Sequence, residues 1–120
     1  MIKFTITGTL TDLNTYINAM NRNRFIGNKI KQENTHLVMW QVKNVPKVTE
    51  YPVRITFNWY TPNIKKDPDN VSFSKKSILD GLVEAGILVN DGRKQIAGFT
   101  DNFFLDKSNP HVEVIIESVL

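Results

Sequence analysis

The run KKDPDN, from Lys65 to Asn70, and the later NDGRKQI, from Asn90 to Ile96, set separated carboxylates beside lysines. That combination suits a divalent cation together with a phosphate. Pro68 fixes its own backbone and disfavours a helical conformation for Asp67, so the strip is expected to run extended, with Asp67 and Asp69 flanking one ion. Magnesium takes oxygen ligands and keeps several waters, and one or two carboxylates plus a substrate phosphate complete such a site. A third acid, Asp91, lies in the turn-like Asn90-Asp91-Gly92 and is expected to return beside the first two. These residues point to a metal-dependent nuclease. Asp and Asn also cap helices and Pro presets turns, so DPDN by itself is equally a turn and a cap. The flanking Lys65, Lys66, Lys75 and Lys76, and the recurrence of Asp91, weigh towards chemistry. A calcium-binding EF-hand loop does not fit, because Val71 and Ser72 stand where an oxygen ligand and a glycine are required.

The lysines divide by direction. Lys75 and Lys76 sit in the first turns of a helix and differ by about 100° around its axis. Lys75 shares the side of Leu79 and Leu82, and Lys76 joins Asp80 on the polar side. Asp80-Gly81 inside that helix is unusual, since a mid-helix glycine costs about 1 kcal/mol relative to alanine, and it suggests either a close backbone approach or a tolerated weak point. Arg22, Arg24, Lys29 and Lys31, near the aromatic Phe25, form a second basic cluster suited to a nucleic-acid backbone, although solvated basic helices are common. His36 and His111 have no partners at a zinc spacing, and no Gly-rich phosphate loop, nucleophile elbow or dinucleotide fingerprint is present.

The elements that must position these groups follow from periodicity. Ile2, Phe4 and Ile6 alternate with polar residues, as do Val53, Ile55, Phe57 and Trp59 in Tyr51 to Tyr60; both read as half-buried strands. Asp12 caps a short helix through Leu13, Tyr16, Ile17 and Met20, and Asn21 to Arg24 marks a bend. A longer helix is expected from about Phe25 to Lys43, its face formed by Ile26, Ile30, Leu37 and Trp40, with Glu33 in the same stripe. Val71 to Gly86 carries a further amphipathic helix, and Ala97 to Leu105 and His111 to Val119 are the last two strands. The order of strand, two helices, strand, helix and two strands implies an α+β domain with helices on one face of a four-stranded sheet, mixed or largely antiparallel.

The 120 residues fit a single domain, and 41% hydrophobic content permits a real core. Fifteen Lys and Arg against twelve Asp and Glu favour an anionic partner only weakly. The absence of cysteine excludes disulfides, thiolate metal sites and cysteine nucleophiles. With no signal-like or membrane-length apolar stretch, the expectation is a soluble, cytoplasmic protein without a membrane partner.

The segment KKDPDNVSFSKKSILDGLVEAGILVNDGRKQI resembles the RusA family of Holliday junction resolvases, whose pattern runs D-x-D-N, a helical Lys, D-[AG]-L and a late Asp before a Gln-Ile or similar pair. The likeness covers Lys65 to Ile96, about a quarter of the chain, and implies a RusA-like fold and a homodimeric endonuclease that needs magnesium or manganese and nicks opposed strands of four-way DNA junctions in a bacterial or phage setting. On that resemblance Asp67, Asp69 and Asp91 are the metal-binding catalytic acids and Lys76, four residues before Asp80, is the catalytic lysine. Lys65, Lys66, Lys75, Arg22, Arg24 and Lys29 are then expected to contact DNA. The chain departs from the family at Asn90, where a second late acid is common, and in a helix entry two residues longer than in compact relatives, which leaves Lys75 as the alternative to Lys76 for the family lysine. Two other readings stand beside this one: a non-catalytic DNA-binding accessory protein on the same scaffold, and a nuclease acting on flaps or other branched DNA.

Overall fold

Period-two alternation builds four strands: β1 (Ile2–Thr7), β2 (Val53–Thr61), β3 (Ile96–Leu105) and β4 (His111–Ser118). In β2 the side chains of Val53, Ile55, Phe57 and Trp59 are buried, and in β4 those of Val112, Val114 and Ile116 are buried on the same face. The computed structural model, which describes residues 1–120, arranges them as one sheet of order β1-β4-β2-β3. β4 is antiparallel to β1 and β2, and β3 is parallel to β2, so the sheet is mixed. A parallel neighbour requires a crossover, and the helices between β2 and β3 provide it.

Four helices occupy the connections: α1 (Leu13–Arg22), α2 (Arg24–Gln41), α3 (Pro68–Ser72) and α4 (Lys75–Glu84). Val38 and Val42 at the end of α2, and Ile78, Leu79 and Leu82 of α4, close the core over one face of the sheet. The α+β architecture expected from the sequence is therefore the one found, with one short helix more. No helix is long and apolar enough to cross a membrane.

Local chemistry sets the helix ends. The Asp12 carboxylate accepts from the Thr15 amide at 2.8 Å and caps α1, satisfying a donor that has no intrahelical partner. Asn23 breaks the chain direction in extended backbone, and its side chain then caps α2 by accepting from the Phe25 amide at 2.8 Å. The expected helix from Val71 to Gly86 is instead divided between α3 and α4, and it begins earlier, at Pro68.

Two features of helix packing matter for the site. Gly81 of α4 meets α2 so closely that an added Cβ would lie 2.5 Å from Val38 Cγ1, which is the close approach that the mid-helix glycine suggested. The stripe expected to bury α2 does not do so: Ile26, Leu37 and Trp40 are 40%, 45% and 71% exposed, while Gly27 and Val38 are buried. Close helix contact selects the small face of α2, where Gly27 lies against Met20 and Val38 against Gly81, and the bulkier stripe is left outside.

Candidate functional site

The acidic strip begins at a strand end, as expected, but it is not extended throughout. Asp67 keeps extended backbone at the N-cap of α3, whereas Pro68 starts the helix and Asp69 lies in its first turn. Proline's fixed backbone angle suits the first helical position, and its missing amide costs nothing there. Asn70 is buried, and its side-chain oxygen accepts from the Asn14 amide at 3.0 Å, which ties α3 to the start of α1. Lys66 reaches the same corner, its ammonium 2.6 Å from Asp12 Oδ2. Burial pushes the Asp12 carboxyl up, but the hydrogen bonds from Lys66 and Thr15 outweigh it and hold the group below the ordinary carboxylate range.

Asp67 and Asp69 are exposed and neither takes part in an ion pair. Their Cα atoms lie within about 7 Å of each other, and the Asp69 carboxylate accepts from the Asn70 amide at 3.0 Å.

Asp91 is held by Lys76. The Lys76 ammonium lies 2.9 Å from Asp80 Oδ1 and 3.6 Å from Asp91 Oδ2, which joins the late motif to α4. The hydrogen bond to Asp80 and that carboxylate's charge, and then the charge of Asp91, raise the lysine's pKa above its ordinary value despite partial burial. Lys76 also lines a small hollow of about 140 Å³ with Tyr16, Lys31, Asn34, Phe73 and Ser77. Asp91 lines a wider groove between α2 and α4 together with Asp80, Glu84, His36 and Lys31.

Lys75 turns towards the sheet, as the helical angle requires. Its ammonium lies 2.7 Å from Asp101 Oδ2 on β3 and 4.6 Å from the Phe99 ring centroid, and the Trp59 indole donates to Asp101 Oδ1 at 2.8 Å. Lys75 is thus committed to a half-buried structural network, and its expected DNA contact has to compete with Asp101. Sequence reasoning singled out Asp12 as a helix cap but not as the partner of Lys66, and it did not single out Asp101. Asp101 carried one signal, as the lone acid in the apolar run IAGFTDNFFL.

The remaining basic residues separate into two places. Lys65 is exposed beside the acidic strip. Arg22, Arg24 and Lys29 are exposed around the corner between α1 and α2. Arg22 lies near the end of α1, about 12 Å along that helix from Asn14 and its contact with Asn70.

No three Asp, Glu or His side chains converge closely enough to hold a metal ion among themselves. The donor set therefore does not form a preformed three-carboxylate cage. It fits the more modest demand of magnesium, one or two free carboxylates completed by waters and phosphate oxygens, at Asp67 and Asp69. A scan against protein-family models gave no match to the chain, and a search of curated proteins gave none.

Proposed function

We propose that the chain is a structure-selective DNA endonuclease that resolves four-way junctions, with Asp67, Asp69 and Asp91 as its acids and Lys76 as its cation. The observation that carries this reading is the contact between Lys76 and Asp91: two parts of the motif that are far apart in the chain meet at one place. The resemblance of Lys65 to Ile96 to the RusA family supports the choice of substrate and of magnesium or manganese.

Asp67 and Asp69 would hold the divalent ion. When bound, such an ion polarises a phosphate oxygen and lowers the pKa of a coordinated water. Asp80 and Asp91 keep Lys76 protonated and fix the position of its ammonium, from which it meets negative charge developing on a phosphate. Lys65, with Arg22 at the end of α1 and Arg24 and Lys29 in the first turns of α2, supplies phosphate contacts that position DNA without reading its sequence. Symmetric cutting of two opposed strands needs two equivalent sites, and a two-fold homodimer provides them.

Cleavage of a synthetic four-way junction with magnesium present, compared with duplex and flap substrates, tests the proposal. Junction binding without cleavage would favour the accessory-protein reading, and preference for flaps would favour the other nuclease reading.

A further inference from the structure

The outward stripe of α2 has a spacing of its own. Ile26, Ile30, Glu33, Leu37 and Trp40 recur at alternating intervals of four and three residues, the heptad spacing of a seam between two helices. Ile30 is half-buried and the other four are exposed. At the rise of an α-helix the stripe is about 21 Å long. Large apolar side chains gathered at the surface of a folded domain mark an interaction site.

The two flanks of the stripe differ. On one, Asn34 Oδ1 accepts from the Thr11 hydroxyl at 3.4 Å and Gln41 Oε1 accepts from the Thr7 amide at 2.8 Å, so the end of β1 and the segment after it close that side. On the other, Lys29, His36 and Lys43 stand exposed at intervals of seven residues, and none of them forms an ion pair. Lys43, just past the helix, lays its ammonium 4.2 Å from the centroid of the Trp40 ring. His36 also borders the groove shared with α4.

We infer that this stripe is a docking surface for an amphipathic helix of a different protein, with apolar residues at heptad spacing, acids on the flank that meets Lys29 and Lys43, and a basic residue opposite Glu33. The closed flank leaves the occupant to lean on the open one, where unpaired cations favour acids. A carboxylate covered without a partner is costly, so Glu33 selects a cation and rejects helices that offer only apolar side chains. A second copy of α2 lacks this complementarity. An antiparallel two-fold pair sets the two basic flanks against each other, and a parallel one sets Glu33 against Glu33. Duplex DNA offers phosphates to Lys29 but nothing to Ile26, Leu37 and Trp40. The inference rests on the surface of α2 and is independent of the nuclease reading, although an occupant that reaches Lys29 competes there with DNA phosphates.

Trp40 is exposed and Trp59 is buried, so the emission of Trp40 reports an occupant of the stripe. The probe is a synthetic tryptophan-free helix with leucines at the seam positions, one lysine facing Glu33 and glutamates on its flanks; a second version exchanges the glutamates for lysines. Titrated into the full chain, the acidic helix should give a saturable blue shift at one helix per chain, and the basic helix should bind about tenfold more weakly, with the gap closing in high salt. Leu37→Asp, at an exposed position, should abolish the shift, and Glu33→Lys should transfer preference to a helix with glutamate in place of its central lysine. Equal binding of the two helices, acidic-helix binding that survives Leu37→Asp, or no shift with either would overturn the inference. A Trp40 shift produced by duplex DNA alone, or by concentrating the chain alone, would overturn it too, by giving the stripe to DNA or to a second copy.

Discussion

The Lys76 ammonium stands 3.6 Å from Asp91 Oδ2, and this contact brings the turn after α4 back to the first turn of that helix. The adjacent Lys75 makes the opposite choice and crosses to Asp101 on β3. Neighbouring lysines with different partners are expected to fail differently when removed.

Lys76→Ala should lower the rate of junction cleavage by about 100-fold or more while leaving junction affinity within a few-fold, because an ammonium aimed at developing charge acts mainly in the transition state. Single-turnover rates and binding titrations on the same junction separate the two effects. Equal losses in both would make Lys76 an ordinary phosphate contact.

Lys75→Ala should cost stability first. It leaves the half-buried Asp101 without its cation, and loss of such a charge-assisted hydrogen bond costs about 1–3 kcal/mol. Chemical denaturation should show a lower midpoint with an unchanged slope, and cleavage by the folded fraction should stay close to normal.

Asp12 links acid pH to the corner where α1 meets the acidic strip. Its carboxyl lies below the ordinary range in the folded protein, so its contribution is fully present above the unfolded pKa of about 4 and is lost as pH falls through the lower folded value. Asp12→Asn keeps a capping side chain but removes the charge facing Lys66. The difference in melting temperature between it and the unaltered protein should be clear at pH 7 and should shrink below pH 4. Asp12→Ala also loses the cap, at a cost of about 1 kcal/mol.

Gly81→Ala tests the packing that sets α4 on α2. The added methyl would meet Val38, and overpacking of this kind costs about 1–3 kcal/mol. Thermal unfolding should show the loss; an alanine variant as stable as the original would mean that the helices can separate freely.

The strands were legible because one face of a sheet is buried and the other is not, which writes a period of two directly into Ile2–Thr7 and Val53–Thr61. Asp12 as a cap and the divergence of Lys75 from Lys76 were legible because each depends only on nearby residues. The outward stripe of α2 was not. Ile26, Leu37 and Trp40 look like a core face, but burial was decided by Gly27 and by the fit of Val38 against Gly81, a property of two helices together. Asp69 entered a helix because Pro68 favours a first helical position as well as an extended one. The partners of Lys66 and Lys75 come from elements far away in the chain, and no local spacing encodes them.

The most direct test of the nuclease account is single-turnover cleavage of a synthetic four-way junction by the unaltered chain and by Asp69→Asn, each with magnesium and with EDTA, alongside binding measured in EDTA. The account predicts magnesium-dependent paired nicks by the unaltered chain, and loss of cleavage by Asp69→Asn with junction binding retained or tightened as a negative charge is removed. Full cleavage by Asp69→Asn, or tight junction binding by the unaltered chain without cleavage in magnesium or manganese, would contradict it.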